Sequence, residues 1–136
     1  MSNTASSRAV GIGRVLIAVY AILALAATAR SAYQIAREFD AAPVAYVLSA
    51  VAAVVYILAT VALLRRGPVW YRVAWVTIGF ELVGVLTVGT LSLLEPALFQ
   101  HPSVWSFYGS GYGFVPLVLP VLGMLWLYAR RPAAAA

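Results

Sequence analysis

Few side chains in this sequence can do acid–base chemistry. The carboxylates are Glu38, Asp40, Glu81 and Glu95, the single histidine is His101, and cysteine is absent. Without cysteine there are no disulfides, thiolate metal sites or cysteine nucleophiles. One histidine excludes bis-histidine haem and multi-histidine metal sites within one chain, which leaves only a site shared across a dimer. His101, between Gln100 and Pro102, reads as an exposed loop residue. No Ser-His-Asp set and no acid pair at catalytic spacing is visible. No catalytic residue, metal ligand or cofactor is therefore expected. Glu81 stands apart because it lies inside a long apolar stretch. A carboxyl group there is costly, and it ordinarily faces protein or a water-filled cavity as a proton relay, ligand anchor or interhelical hydrogen-bonding group.

The elements that position Glu81 follow from composition. Of 136 residues, 64% are hydrophobic and 10% are charged, with nine basic residues, all arginine. A soluble domain carries nearer one quarter charged residues. The net charge of +5 hints at nucleic acid, but such a binder needs a solvated basic face, and these arginines flank long apolar runs instead. Four runs approach the roughly 20 residues that cross about 30 Å of hydrocarbon. They cover about Ile12–Ala29, Val44–Leu64, Val73–Leu94 and Gly113–Ala129. The expected fold is all-α: an integral membrane four-helix bundle over residues 12–130, with an N-terminal tail (1–11) and a C-terminal tail (131–136), the ends of both disordered. A cleaved signal peptide competes for the first run, since Arg8 and Arg14 precede an apolar core and Ala27-Thr28-Ala29 resembles a cleavage site. The full membrane length of the run and the spans that follow favour a retained helix.

Depth then groups the polar residues. Glu81 lies eight residues from one end of its span, about 12 Å deep at 1.5 Å per residue. Tyr20 and Tyr56 lie at the same depth in spans one and two, and span four brings Pro120, Leu122 and Gly123 to that level. Pro116 and Pro120 are expected to kink span four and free backbone carbonyls beside the site. Three arrangements remain open. Glu81 with the Tyr20 and Tyr56 hydroxyls forms a ligand-binding or proton-carrying pocket; or Glu81 bonds a tyrosine and ties helices together; or it forms an ion pair with Arg14. Small residues mark packing faces: Ser49, Ala52, Ala53 and Thr60 beside Tyr56, Thr77, Gly84 and Val88 beside Glu81, and Ala24 and Ala27 beyond Tyr20.

The arginines also orient the chain. With the N-terminus inside, Arg8, Arg14, Arg65, Arg66, Arg72, Arg130 and Arg131 are inside and only Arg30 and Arg37 outside, so both termini are expected to be cytoplasmic. Trp70, Tyr71, Trp75, Trp126 and Tyr128 form an inner aromatic belt; Phe99, Trp105, Phe107, Tyr108 and Tyr112 form an outer one. Arg30, Gln34, Arg37 and Glu38 share a face of a helical extension of span one, which Pro43 ends. Arg30, Arg37, Glu38 and Asp40 are either solvated or a headgroup-level cluster. Residues 103–108 read as one interfacial turn capped by Ser103. Gly109-Ser110-Gly111-Tyr112-Gly113 lacks the strand and lysine of a phosphate loop and reads as a flexible lead into span four.

The stretch Gly79-Phe80-Glu81-Leu82-Val83-Gly84-Val85-Leu86 resembles small four-helix membrane proteins of actinobacteria. So do Val104-Trp105-Ser106-Phe107-Tyr108-Gly109 and Val115-Pro116-Leu117-Val118-Leu119-Pro120, within a resemblance running from about Ser31 to Trp126. That group has no assigned activity, so the resemblance implies a bacterial plasma membrane and carries over no functional residue. Small multidrug transporters also have four spans and a membrane glutamate, but theirs is in the first span and this one is in the third. The functional expectation is a non-enzymatic multi-pass protein: an accessory subunit, or a binder of membrane lipid or another apolar ligand, with partners among lipids, copies of itself or a larger membrane complex. The alternative is a proton-coupled transporter or efflux subunit working as a homo-oligomer through Glu81. A lipid-modifying enzyme with Glu81 as acid or base is the third reading, so enzymatic activity is disfavoured but not excluded.

Overall fold

Prolines and a glycine set the helix boundaries. The computed structural model describes residues 2–65, 67–99 and 103–130, and these are helical with no strand. Helix α1 covers Ser2–Glu38 and continues into a short 3₁₀ turn, Phe39–Ala41. Helix α2, Pro43–Leu64, opens on proline, whose missing N–H and fixed φ suit a first turn. Helix α3, Pro68–Leu94, opens the same way after Gly67 at φ 108°, a conformation glycine adopts without strain. A 3₁₀ turn at Pro96–Phe99 and a second 3₁₀ segment at Ser106–Tyr112 lead to helix α4, Val115–Ala129.

Helices lie over the four expected apolar runs, with shifted ends. The extension beyond Ala29 is helical as expected. Residues expected to form the N-terminal tail are helical from Ser2, because nothing between Ser2 and Ile12 breaks the helix. Span three starts earlier, at Pro68. Span four starts at Val115, since Gly113 and Phe114 are left-handed (φ 63° and 61°). The C-terminal tail, Arg66 and His101 lie outside the described residues.

Helix α1 packs most extensively on α2, α2 on α3, and α3 on α4 and the Ser106–Tyr112 segment, while α1 touches α4 more lightly. This order makes α1 and α3 diagonal partners. The buried faces of α1 and α2 are rich in alanine: Ala24, Ala27, Ala45, Ala52, Ala53 and Ala59. In an apolar solvent, where packing rather than hydrophobicity drives association, such small side chains let backbones approach. The faces expected to pack do so: Ser49, Tyr56, Thr77, Glu81 and Val88 are buried as well. The outward faces are apolar too, with Leu25 74% and Val76 70% exposed.

Helices apolar on every side belong in a large core or a membrane, and a chain of this size has no such core. Three helices, Gly11–Glu38 within α1, α2 and α3, are long and apolar enough to cross a bilayer. The fourth stretch differs. Helix α4 has 15 residues, about 22 Å of rise, short of the roughly 30 Å hydrocarbon layer. It passes the same test only together with the Ser106–Tyr112 segment, from which it is bent by 97°. The described chain is thus an all-helical bundle of membrane-protein type.

Candidate functional site

Glu81 is 0% exposed at the bundle centre. Its Oε1 accepts a hydrogen bond from the Tyr20 hydroxyl at 2.6 Å. This bond joins the diagonal helices α1 and α3, which scarcely approach through their backbones, so two long side chains close the gap. The second oxygen, Oε2, is buried without a hydrogen-bond partner among the described residues. Tyr20 and Tyr56 are both fully buried, with ring centroids 6.3 Å apart. Gly123 of α4 faces the same level: a Cβ there would lie 3.6 Å from the Tyr20 hydroxyl and 3.2 Å from Ile78 Cδ1.

The depth count therefore brings Tyr20, Tyr56, Glu81 and Gly123 together, though Leu122, counted to the same level, faces outward and is 49% exposed, and one partner changes. The Tyr56 hydroxyl, expected on Glu81, instead accepts the indole N–H of Trp105 at 2.8 Å. Trp105 is only 2% exposed. Its ring meets Tyr56 edge-on at 6.4 Å and Phe80 at 6.5 Å. The expected outer-belt residue is thus part of the central cluster, because the loop before α4 turns inward. Val104 N–H donates to Ser49 Oγ at 3.0 Å, and Ser103 N–H to Ser106 Oγ at 2.7 Å. All four residues 103–106 are buried. The turn is therefore packed into the bundle, and Ser103 bonds Ser106 Oγ instead of capping a helix.

Helix α3 makes room for this loop. A Cβ at Gly84 would lie 2.6 Å from the Trp105 ring, and one at Gly89 would overlap the Tyr108 ring. The signal available in the sequence was this pair of glycines, five residues apart in a span of bulky residues. The Tyr108 hydroxyl also meets Thr90 Oγ1 at 3.0 Å. Phe107 (φ 51°), Tyr108 (φ 61°) and Gly109 (φ 80°) wind the chain left-handed into the expected lead, where Gly109 is buried and Ser110, Gly111 and Gly113 are exposed.

The expected prolines act differently. Pro116 is in the first turn of α4, where no backbone bond is lost. Pro120 is inside α4 and buried, so it leaves the Pro116 carbonyl without its usual helical donor. The sharp bend is not at either proline but at the left-handed Gly113–Phe114 pair before α4.

Arg14 does not pair with Glu81; it lines a cleft at the end where α1 begins and α4 finishes. At the opposite end Arg30 donates to the Tyr112 hydroxyl at 3.4 Å, and Glu38 Oε2 accepts from the Tyr46 hydroxyl at 3.4 Å. Chemically, the centre offers one carboxyl with a tyrosine on one oxygen and nothing on the other, walled by aromatic rings. Its one hydroxyl–carboxyl pair, Tyr20 with Glu81, is fully enclosed. The chain matches no protein-family model, no curated protein and no solved structure.

Proposed function

We propose that this chain is a non-enzymatic integral membrane protein with four membrane-crossing segments, an accessory subunit or lipid binder. In this reading Glu81 is a central tie between helices. The observation that carries it is the sealed Glu81–Tyr20 bond between diagonal helices. A catalytic or transport carboxyl needs a path for substrate or ions, whereas one fully buried and bonded to Tyr20 serves assembly. The fourth crossing is the Ser106–Tyr112 segment and α4 taken as one broken span, with the packed loop making up for the short helix.

The membrane is the bacterial plasma membrane, as the actinobacterial resemblance implies, and both termini are cytoplasmic. In support, Arg14, Arg65, Arg72 and Arg130 gather at one end against Arg30 and Arg37 towards the other end of α1, the bias of a positive-inside chain.

One observation favours a second reading. The bare Oε2 of Glu81 can take a proton or a ligand donor, as a proton-coupled transporter built from several copies would need. The Glu81→Gln variant in proteoliposomes with an entrapped pH dye separates the two. The tie predicts that the wild type leaves an imposed pH gradient intact and that Glu81→Gln folds and binds the same lipids. A gradient dissipated by the wild type and preserved by Glu81→Gln would establish the transporter instead.

A further inference from the structure

Four arginines from the four helix regions meet in one place. Arg14 of α1, Arg65 closing α2, Arg72 of α3 and Arg130 closing α4 line a half-open cleft of about 1340 Å³, with Trp75 and Trp126 between them. No carboxylate lines it among the described residues. The Arg130 guanidinium lies 4.9 Å over the Trp126 ring, and that of Arg65 lies 5.9 Å over Trp70. The Tyr71 hydroxyl donates to the Leu127 carbonyl at 2.6 Å, which pins α3 to α4 at the back of the cleft. Unlike charge within the bundle core, this charge lies beside the ends of α2 and α4 and the start of α3, where headgroups lie.

We propose that this cleft binds the phosphate-bearing headgroup of an anionic phospholipid. Guanidinium forks fit phosphate oxygens in pairs, a geometry an ammonium group does not offer. Basic pockets between membrane helices recognise such headgroups by the same chemistry. The four arginines give the cleft one sign of charge, which favours an anion. A lipid fits better than free phosphate because the lining continues through Ile17 and Leu63 to Leu64 and Val76, which are 62% and 70% exposed on the apolar surface. That apolar path suits acyl chains. The proposal rests on the membrane-protein reading above but on neither its crossing direction nor the role of Glu81.

The test is native mass spectrometry of the full chain in mild detergent, titrated separately with dioleoyl phosphatidylglycerol, dioleoyl phosphatidylcholine and inorganic phosphate. Phosphatidylglycerol should be retained at least about ten-fold more strongly than phosphatidylcholine, and the Arg14→Gln/Arg72→Gln variant should lose about ten- to thirty-fold of that retention. Arg14→Lys/Arg72→Lys keeps the charge but loses the fork and should fall between. Equal retention of the two lipids, an undiminished adduct in the glutamine variant, or inorganic phosphate bound as tightly as the lipid overturns the proposal. The lipid comparison on the unsubstituted chain holds even if a variant fails to fold. Alkaline carbonate extraction tests the underlying assignment separately. A chain washed off membranes fails that assignment, whereas one that stays but shows no lipid preference fails only the cleft.

Discussion

At the scale of single residues the energetics centre on Glu81 and Trp105. Glutamine at position 81 keeps an acceptor for the Tyr20 hydroxyl, so Glu81→Gln should unfold within about 1 kcal/mol of the wild type in a denaturation titration in mixed micelles. Glu81→Ala removes that acceptor and leaves the hydroxyl unpaired in an apolar centre; it should cost about 2–4 kcal/mol, from the lost bond and the cavity together. Trp105→Ala opens a larger cavity and strands the Tyr56 hydroxyl, with an expected loss of about 3–5 kcal/mol. The tryptophan count of four allows a direct check, because only Trp105 is buried. Trp105→Phe should remove the component of fluorescence that is least accessible to an aqueous quencher.

Much of this site was legible from depth alone. A fixed rise per residue put Tyr20, Tyr56, Glu81 and Gly123 at one level, and a level is what a hydrogen bond across a bundle requires. The partner of Tyr56 was not legible. Amphipathic rings prefer membrane interfaces on average, and nothing local distinguishes Trp105 from Phe107, two residues on, which is exposed. The difference arises in three dimensions: Gly84 and Gly89 open slots on α3, Ser49 offers an acceptor on α2, and the loop turns in to use both.

At the scale of elements, the informative part is the fit of the loop to α3. The helix boundaries follow local rules, with Pro43 and Pro68 opening helices and Gly67 turning between them. The bend before α4 does not follow from Pro116 or Pro120. It comes from left-handed residues at Gly113 and Phe114, which tertiary packing holds in place. Gly84→Ala and Gly89→Ala should each cost about 1–3 kcal/mol by overpacking against Trp105 and Tyr108. Gly11→Ala, where a Cβ would meet nothing within 4 Å, should be neutral or slightly stabilising. Thermal unfolding of the three variants in one detergent gives the comparison; equal behaviour would contradict the packed loop.

At the scale of the whole molecule, apolar residues on all helix faces fit a membrane, and the proposed orientation rests on the arginines at one end. The lack of cysteine makes this orientation easy to measure. A single cysteine introduced as Asp40→Cys should react with a membrane-impermeant maleimide on intact cells. One introduced as Ala129→Cys should react only after permeabilisation. The reverse pattern would invert the topology while leaving the bundle unchanged.

The most direct measurement of the central tie is a double-mutant cycle between positions 20 and 81. Tyr20→Phe leaves the Glu81 carboxyl unpaired, Glu81→Met leaves the Tyr20 hydroxyl unpaired, and the double variant replaces both with apolar groups of similar size. Reversible unfolding in mixed micelles should give a coupling of about 1 kcal/mol, with the double variant less destabilised than the sum of the single ones. Strictly additive losses would show that Glu81 and Tyr20 do not hold the diagonal helices together.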